Sequence, residues 1–308
     1  MIYQGDCLEV MKGFDDNSVN MILTSPPYWA LRDYGVEGQL GLEPTFNEYI
    51  NKLCDMFDEC KRVLRDDGTC WVNIGDTYSG SNGNGYKQTI ENENIFKGKA
   101  GYHDKLRNRI KEYSLPSKSL CLIPHRFAIE MCNRGWILRN TIIWHKNNCM
   151  PSSVKDRFTV DFEYLFFFSK KKKYYFEQQF DEYTEPLNRW GGNNLNANGE
   201  SSWDKGTGQE TYRDRNMRPN QSGRNKRCVW NINTKPFKEA HFAVFPEELC
   251  VTPIKAGCPE GGIVLDPFFG AGTTGLVATK LNREYIGIEL NPAYIEIARK
   301  RIENEHLR

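Results

Sequence analysis

The chain has 308 residues, 39% of them hydrophobic and 13% aromatic, with 41 Lys and Arg against 40 Asp and Glu. That length fits one large domain or a core with a smaller appendage, and its apolar content excludes a disordered chain or one that needs disulfides to fold. The near-zero net charge does not exclude a nucleic-acid partner, because binding depends on where the charge sits. Along the chain, Met1–Asp6 has neither a basic start nor an apolar signal core, and no apolar run approaches the roughly 20 residues of a membrane span. A cytoplasmic protein without membrane association is expected. Val19–Leu23 predicts a short buried strand stopped by Pro26 and Pro27. Thr45 and Glu48 have capping-box spacing ahead of a helical apolar repeat through Leu64, with Gly68 as its end. Thr69–Ile74 predicts a strand, Leu120–Asn133 a helix closed by Gly135, and Trp136–Trp144 and Phe162–Phe168 two further strands. After a long irregular stretch come a helix at Pro246–Ala256, a strand at Gly262–Leu265 and a helix at Thr273–Leu281. A strand at Glu284–Glu289 and a helix at Pro292–Glu303 complete the set. This alternation predicts an α/β fold with a mostly parallel sheet and helices on both faces.

Two segments break the pattern. Residues 77–113 are polar and too long for an ordinary connector. Residues 190–226 hold six glycines and seven asparagines, and Lys205–Arg227 carries a net charge of +5 through residues including Arg213, Arg215, Arg218, Arg224 and Arg227. Lys170–Lys173, followed by Tyr174–Phe176, adds a second basic and aromatic run. Each reads singly as a solvated surface; together they suit a phosphate-tracking face. The ten cysteines include no Cys-x-x-Cys pair and read as reduced thiols, so no metal site is expected.

Gly270, Gly272 and Gly275 spell G-x-G-x-x-G between the predicted strand and helix, and Glu289 ends the next strand. This is a fingerprint for a nucleotide cofactor, with an acid placed for ribose hydroxyls. A dehydrogenase satisfies it, but Asp266 beside the loop opposes a pyrophosphate and favours a ligand with a positive centre. S-adenosylmethionine, with its sulfonium, ammonium and ribose, fits both acids. Near the N-terminus, Ser25-Pro26-Pro27-Tyr28 follows a strand end. Its two prolines lack N–H groups, so the backbone offers carbonyl acceptors and almost no donors. With the Ser25 hydroxyl and the flat faces of Tyr28 and Trp29, such a corner suits a planar base bearing an NH2 group. A plain Pro-Pro turn beside a core tyrosine fits the four residues equally well.

Thr24-Ser25-Pro26-Pro27-Tyr28-Trp29 and Asp266-Pro267-Phe268-Phe269-Gly270-Ala271-Gly272-Thr273-Thr274-Gly275 together resemble the amino-group DNA methyltransferases of bacterial restriction–modification systems and phages. The catalytic motif comes first and the cofactor motif last, as in the circularly permuted β group. The resemblance implies a Rossmann-like methyltransferase fold with a mixed seven-stranded sheet. It divides the chain into a catalytic part over 1–177, a target-recognition insertion over 178–234 and a cofactor-binding part over 235–308. Ser25, Pro26, Pro27 and Tyr28 would hold a base flipped out of double-stranded DNA. Asp6, Cys7, Thr24, Asp266, Phe268, Gly270, Gly272, Thr273, Thr274 and Glu289 would surround S-adenosyl-L-methionine, with His241 and Phe245 over its methionine end. Segments at Arg139–Lys146, Asp156-Arg157 and Glu163 resemble later parts of the family's core. Trp29, Lys170, Lys171 and the five arginines of the insertion would contact DNA. Serine at position 25 favours cytosine N4 over adenine N6, where the family more often has aspartate; the absence of a Pro-Cys pair argues against attack at cytosine C5. A cognate restriction endonuclease would be encoded separately, with a homodimer left open. The competing classes are an NAD-dependent oxidoreductase and a non-catalytic DNA-binding module.

Overall fold

The computed structural model describes residues 1–79, 115–182, 222–235 and 244–306. Two compact units emerge, Met1–Glu177 with Cys228–Arg308, and Gln178–Arg227. In the large unit, chain order runs β1 (Ile2–Gln4), α1 (Cys7–Met11), β2 (Val19–Thr24), α2 (Phe46–Val63), β3 (Leu64–Ile74), α3 (Ile123–Asn133), β4 (Ile137–His145) and β5 (Phe162–Ser169). The small unit contributes β6 (Phe180–Asp181) and β7 (Arg224–Asn225), which pair antiparallel. The large unit resumes with β8 (Val229–Asn231), α4 (Glu247–Gly257), β9 (Ile263–Asp266), α5 (Thr273–Lys280), β10 (Glu284–Glu289) and α6 (Pro292–His306).

One sheet orders the strands β1-β10-β9-β2-β3-β5-β4-β8. The run from β1 to β3 is parallel, β5 is antiparallel to both its neighbours, and β8 is parallel to β4. This is the expected mixed sheet of seven strands, with the three-residue β8 added at its edge. Because Val229–Asn231 pairs there, the inserted unit closes at Arg227 and not at Thr234.

Alternation along the strands builds a core on each face. Cys70, Val72, Phe166 and Phe168 pack with α2 and α3 through Phe57 and Phe127. Trp71, Leu165 and Phe167 point the other way, toward Leu249 and Ile254 of α4 and Val277 of α5. Thr45 caps α2 as its spacing predicts, its Oγ accepting from Glu48 N at 3.2 Å. α3 starts at Ile123, later than expected, because Leu122 takes a left-handed conformation and Pro124, lacking an N–H, sits in the first turn. β3 begins at Leu64, ahead of Gly68, because Leu64 pairs with Val19 before a register shift. β1 and α1, three and five residues long, are too short to show a period in the sequence. Among the described residues no helix is long and apolar enough to cross a membrane.

Candidate active site

Met21 and Ile22 of β2 lie opposite Val264 and Leu265 of β9, so both chains leave the sheet side by side at their C-terminal ends. The first exit is the Ser25–Tyr28 corner, the second the glycine loop. The ladder ends at Thr24, so the corner's carbonyls lie outside it, and Tyr49 donates its hydroxyl proton to the Pro27 carbonyl at 2.9 Å. Tyr28 folds its ring onto Gly75, where an added Cβ would stand 2.7 Å from the ring edge. Glycine at 75 is thus a condition of the tyrosine's position.

Beneath the corner lies a polar network whose protons can be assigned by counting donors. The Asn73 amide nitrogen donates to Glu163 Oε2 at 3.2 Å and to the Tyr164 carbonyl at 3.1 Å, which turns its Oδ1 toward Ser25 and Tyr28. Tyr28 has one proton; its closest acceptor is Glu163 Oε2 at 2.7 Å, with Asn73 Oδ1 at 3.0 Å. Ser25 Oγ is 3.3 Å from Asn73 Oδ1 and donates to it. The Ser25 oxygen therefore keeps its lone pairs for something outside the network. Lys146 closes the system by donating to Glu163 Oε1, its charge also lying over the Trp144 ring. Burial, and then the nearby Glu163 carboxylate, push the Tyr28 phenol well above its ordinary pKa, so it is a fixed neutral donor.

At the second exit, Gly270 and Gly272 take positive φ values of 52° and 74°. A Cβ on Gly272 would stand 2.7 Å from Ala298 of α6, so the bend also needs glycine for close packing. Glu289 accepts from Gly270 N at 2.7 Å and from Asn291 N at 2.8 Å, and burial raises its pKa. With that carboxylate on the loop's own amide, the loop is a poor seat for a pyrophosphate, which counts against the oxidoreductase reading. Asp6 caps α1 through Glu9 N at 3.1 Å, and burial pushes the Cys7 thiol up to about 12, leaving it neutral.

Asp266 departs from its expected role. It is buried and accepts from Thr24 Oγ1 at 2.6 Å, Thr274 Oγ1 at 2.7 Å and Phe268 N at 3.0 Å. These three residues, Asp266, Thr24 and Thr274, tie the two exits together from below; all three are buried and none lines the cavity between the exits.

A cavity of about 610 Å³ joins the two exits, within the usual range for small-molecule sites. Ser25, Pro26, Pro27, Tyr28, Asn73 and Glu163 line it from the first exit, and Asp6, Cys7, Phe268, Gly270, Thr273 and Glu289 also contribute to its wall, as does Phe245. A family model described as DNA methylase matches residues 19–300. The chain belongs to the DNA methylase family.

Relatives match along nearly its whole length. It is 41% identical over 304 residues to the Type II methyltransferase M.Cfr9I of Citrobacter freundii, covering 99% of this chain and 88% of that protein. It is 40% identical over 307 residues to the Type II methyltransferase M.SmaI of Serratia marcescens, covering 98% and 90%. The fold is similar to that of the PvuII DNA methyltransferase (cytosine-N4-specific), with a TM-score of 0.61 at 20% identity over 100% of this chain and 91% of that one. It is also similar to a DNA modification methylase of Thermus thermophilus, solved in complex with S-adenosyl-L-methionine, with a TM-score of 0.58 at 21% identity over 99% and 93%.

Several expected DNA contacts of the methylase are placed elsewhere. Trp29 is buried in the core and donates its indole N–H to the Glu43 carbonyl at 3.1 Å, so it offers no stacking face. Lys170 and Lys171 sit at the far end of the sheet from Ser25, because β5 runs antiparallel to β3 and Ser169 lies opposite Thr69. Lys170 is held there by Asn17 Oδ1 at 2.7 Å and the Leu64 carbonyl at 2.6 Å. In the small unit Arg227 lies 3.5 Å from Asp181, and Arg224 stands in β7. Arg213, Arg215, Arg218 and His241 lie outside the described residues. Conversely, the sequence does not single out Asn73 or Arg32. Asn73 carries a signal, as the one amide within the apolar run Cys70–Ile74. Arg32 lines the cavity with its Nη1 buried and without a hydrogen-bond partner among the described residues; nothing in its sequence surroundings marks it.

Proposed function

We propose that this methylase transfers a methyl group from S-adenosyl-L-methionine to the exocyclic amine of a base in double-stranded DNA, cytosine N4 before adenine N6. The observation that carries the reading is the place of Ser25: its Oγ lies 3.3 Å from Asn73 Oδ1, an acceptor for its proton, and the residue lines the cavity it shares with the glycine loop, so its lone pairs remain for a ligand there. An acceptor so fixed binds an NH2 group and draws electron density back onto its nitrogen. The Pro26 carbonyl, free of any ladder, is a second acceptor for the other amine hydrogen. Both dipoles are set before the base arrives, the condition under which fixed polar groups accelerate most.

The donor set fits the methyl donor. Exposed Asp6 and the Glu289 carboxylate are acceptors suited to its ammonium, adenine amine and ribose hydroxyls, and Phe268 gives an apolar face on the same cavity. When bound, that cofactor supplies an electrophilic methyl group on a positive sulfur. The residues of the chain then have three tasks: to hold the base amine at Ser25 and Pro26, to set Tyr28 beside the base, and to exclude water. The target must leave the helix to reach the cavity, at a cost of a few kcal/mol. Serine at position 25 supports cytosine. The Gln178–Arg227 unit, with the adjoining residues to Thr234, supports target recognition through its basic sequence, and the permuted motif order supports the β group. The Type II names of the relatives support a cognate restriction endonuclease encoded separately.

Methylation-sensitive sequencing of DNA from cells expressing the protein tests this directly. N4-methylcytosine at one short sequence is expected. N6-methyladenine there would replace the cytosine assignment, and unmodified DNA together with failure to bind S-adenosylmethionine would overturn the reading.

A further inference from the structure

The loop between β4 and β5, residues 146–161, leaves the sheet at the cavity's end, where His145 lies opposite Phe162. Asn148, Cys149, Met150 and Val160 contribute to the cavity wall. The same loop carries Met150, Val154, Phe158 and Val160, four of the ten large apolar side chains exposed among the described residues. Phe158 is 96% exposed and Met150 86%. Single exposed apolar residues are ordinary on any surface, but four on one loop at the mouth of a site are not. Nor is the loop loosely tethered. Lys146 N donates to the Asp161 carbonyl at 2.7 Å, Asn148 Nδ2 to the Thr234 carbonyl at 2.8 Å, and the Arg157 guanidinium lies 3.5 Å over the Tyr78 ring.

Its charges are arranged to suit a polyanion. Asp156 is paired with Lys118 at 2.6 Å and Asp161 lies 3.3 Å from His145, so each carboxylate has a basic neighbour, while Lys155 and Arg157 stand exposed next to Phe158. We propose that this loop is the methylase's wedge: Phe158 enters the stack where the target base leaves it, and Lys155 and Arg157 bind the flanking phosphates. Extruding a base opens a gap with two unstacked neighbours, and an aromatic side chain is suited to cover them. A protein partner for the apolar loop is the competing occupant, but the loop's position at the cavity mouth and its exposed cations favour duplex DNA.

The inference rests on the methyltransferase reading and adds the element that stabilises the flipped state. Its test separates the two. Mapping the modified sequence in cells and measuring methyl transfer by the wild-type protein checks the reading alone. Duplexes with that sequence are then made with the target base either normally paired or opposite an abasic site. Phe158→Ala is expected to lower kcat/KM about tenfold or more on the paired duplex and by no more than about twofold on the abasic one, where no base pair has to be broken and extrusion costs less. Phe158→Trp is expected to keep most of the activity on both. Equal losses on both duplexes, no loss on either, or a loss confined to the abasic duplex would overturn the wedge, and the last two would leave the loop's apolar face to a protein.

Discussion

Thr24 and Asp266, 242 positions apart in the chain, share a hydrogen bond of 2.6 Å that joins the strand ending in the Ser25–Tyr28 corner to the strand opening the glycine loop. Asp266 also accepts from Thr274 in the first turn of α5, so one buried carboxylate fixes the spacing of the two halves of the cavity.

That carboxylate gives stability a pH dependence. Burial is the largest influence on Asp266 and pushes its pKa from 3.8 to about 6. The folded protein therefore binds more protons than the unfolded chain between these values, and this group's contribution is fully present below the lower one and lost as pH rises through the upper. Such a shift corresponds to about 3 kcal/mol for a fully buried group. Asp266→Asn keeps an acceptor for Thr24 and has nothing to titrate. In urea unfolding from about pH 4 to about pH 7, the wild-type protein is expected to lose up to about 3 kcal/mol relative to the variant, with a constant difference above that range. Parallel stability curves would show that Asp266 is ionised throughout.

The network under Ser25 predicts a hierarchy of rates. Ser25→Ala removes an acceptor at the base amine and is expected to lower kcat by about 100-fold, as loss of a preorganised dipole does elsewhere. Glu163→Gln keeps the shape but puts an amide where Tyr28 and Asn73 both donate, so a smaller loss of about tenfold is expected. Both variants should bind S-adenosylmethionine as the wild type does, because neither residue is among the cavity's cofactor acceptors. Single-turnover methyl transfer beside calorimetric titration measures the split; a parallel loss of cofactor affinity would mean that the network holds the whole cavity rather than the corner.

Gly75 offers a steric test of Tyr28. In Gly75→Ala the new methyl would sit 2.7 Å from the ring, and the ring, fixed by Glu163, must move. A stability cost of about 1–3 kcal/mol is expected from such overpacking, with a larger proportional loss of methyl transfer. Full activity in this variant, measured at saturating DNA, would show that Tyr28 need not hold its place.

The Ser25–Tyr28 corner and the glycine loop are legible because prolines and glycines state backbone requirements directly, and a pair of such motifs is hard to produce by packing alone. What the sequence misleads on is which way a side chain faces. Asp266 precedes the loop and so suggests a partner for a cation, yet the strand's alternation turns it inward to Thr24 and Thr274. Trp29 adjoins Tyr28 in sequence but points into the core. Charge alone puts Lys170 on a DNA face, and only the antiparallel course of β5 reveals that it lies at the wrong end of the sheet. Asn73 reaches Ser25 through the pairing of β2 with β3, and Glu163 reaches Asn73 and Tyr28 through the pairing of β3 with β5, contacts between distant segments that no local pattern encodes.

Glu289 provides the sharpest test of the cofactor half. Its two oxygens accept from separate backbone amides, of Gly270 and Asn291, an arrangement only a carboxylate can satisfy. In Glu289→Gln one amide would meet an NH2 group, so the glycine bend should open as the acceptor for ribose weakens. A fall in S-adenosylmethionine affinity of about tenfold or more is expected, with kcat at saturating cofactor reduced far less, because the base amine is held by a different part of the cavity. The wild-type protein should also lose affinity on mild acidification. Burial raises the pKa of Glu289, so its ionised, accepting form is depleted at a higher pH than for an ordinary glutamate. The variant, with nothing to titrate at 289, should lack that part of the pH response. Calorimetric titrations of both proteins across the acidic range provide the comparison, and identical pH profiles would remove Glu289 from the cofactor site.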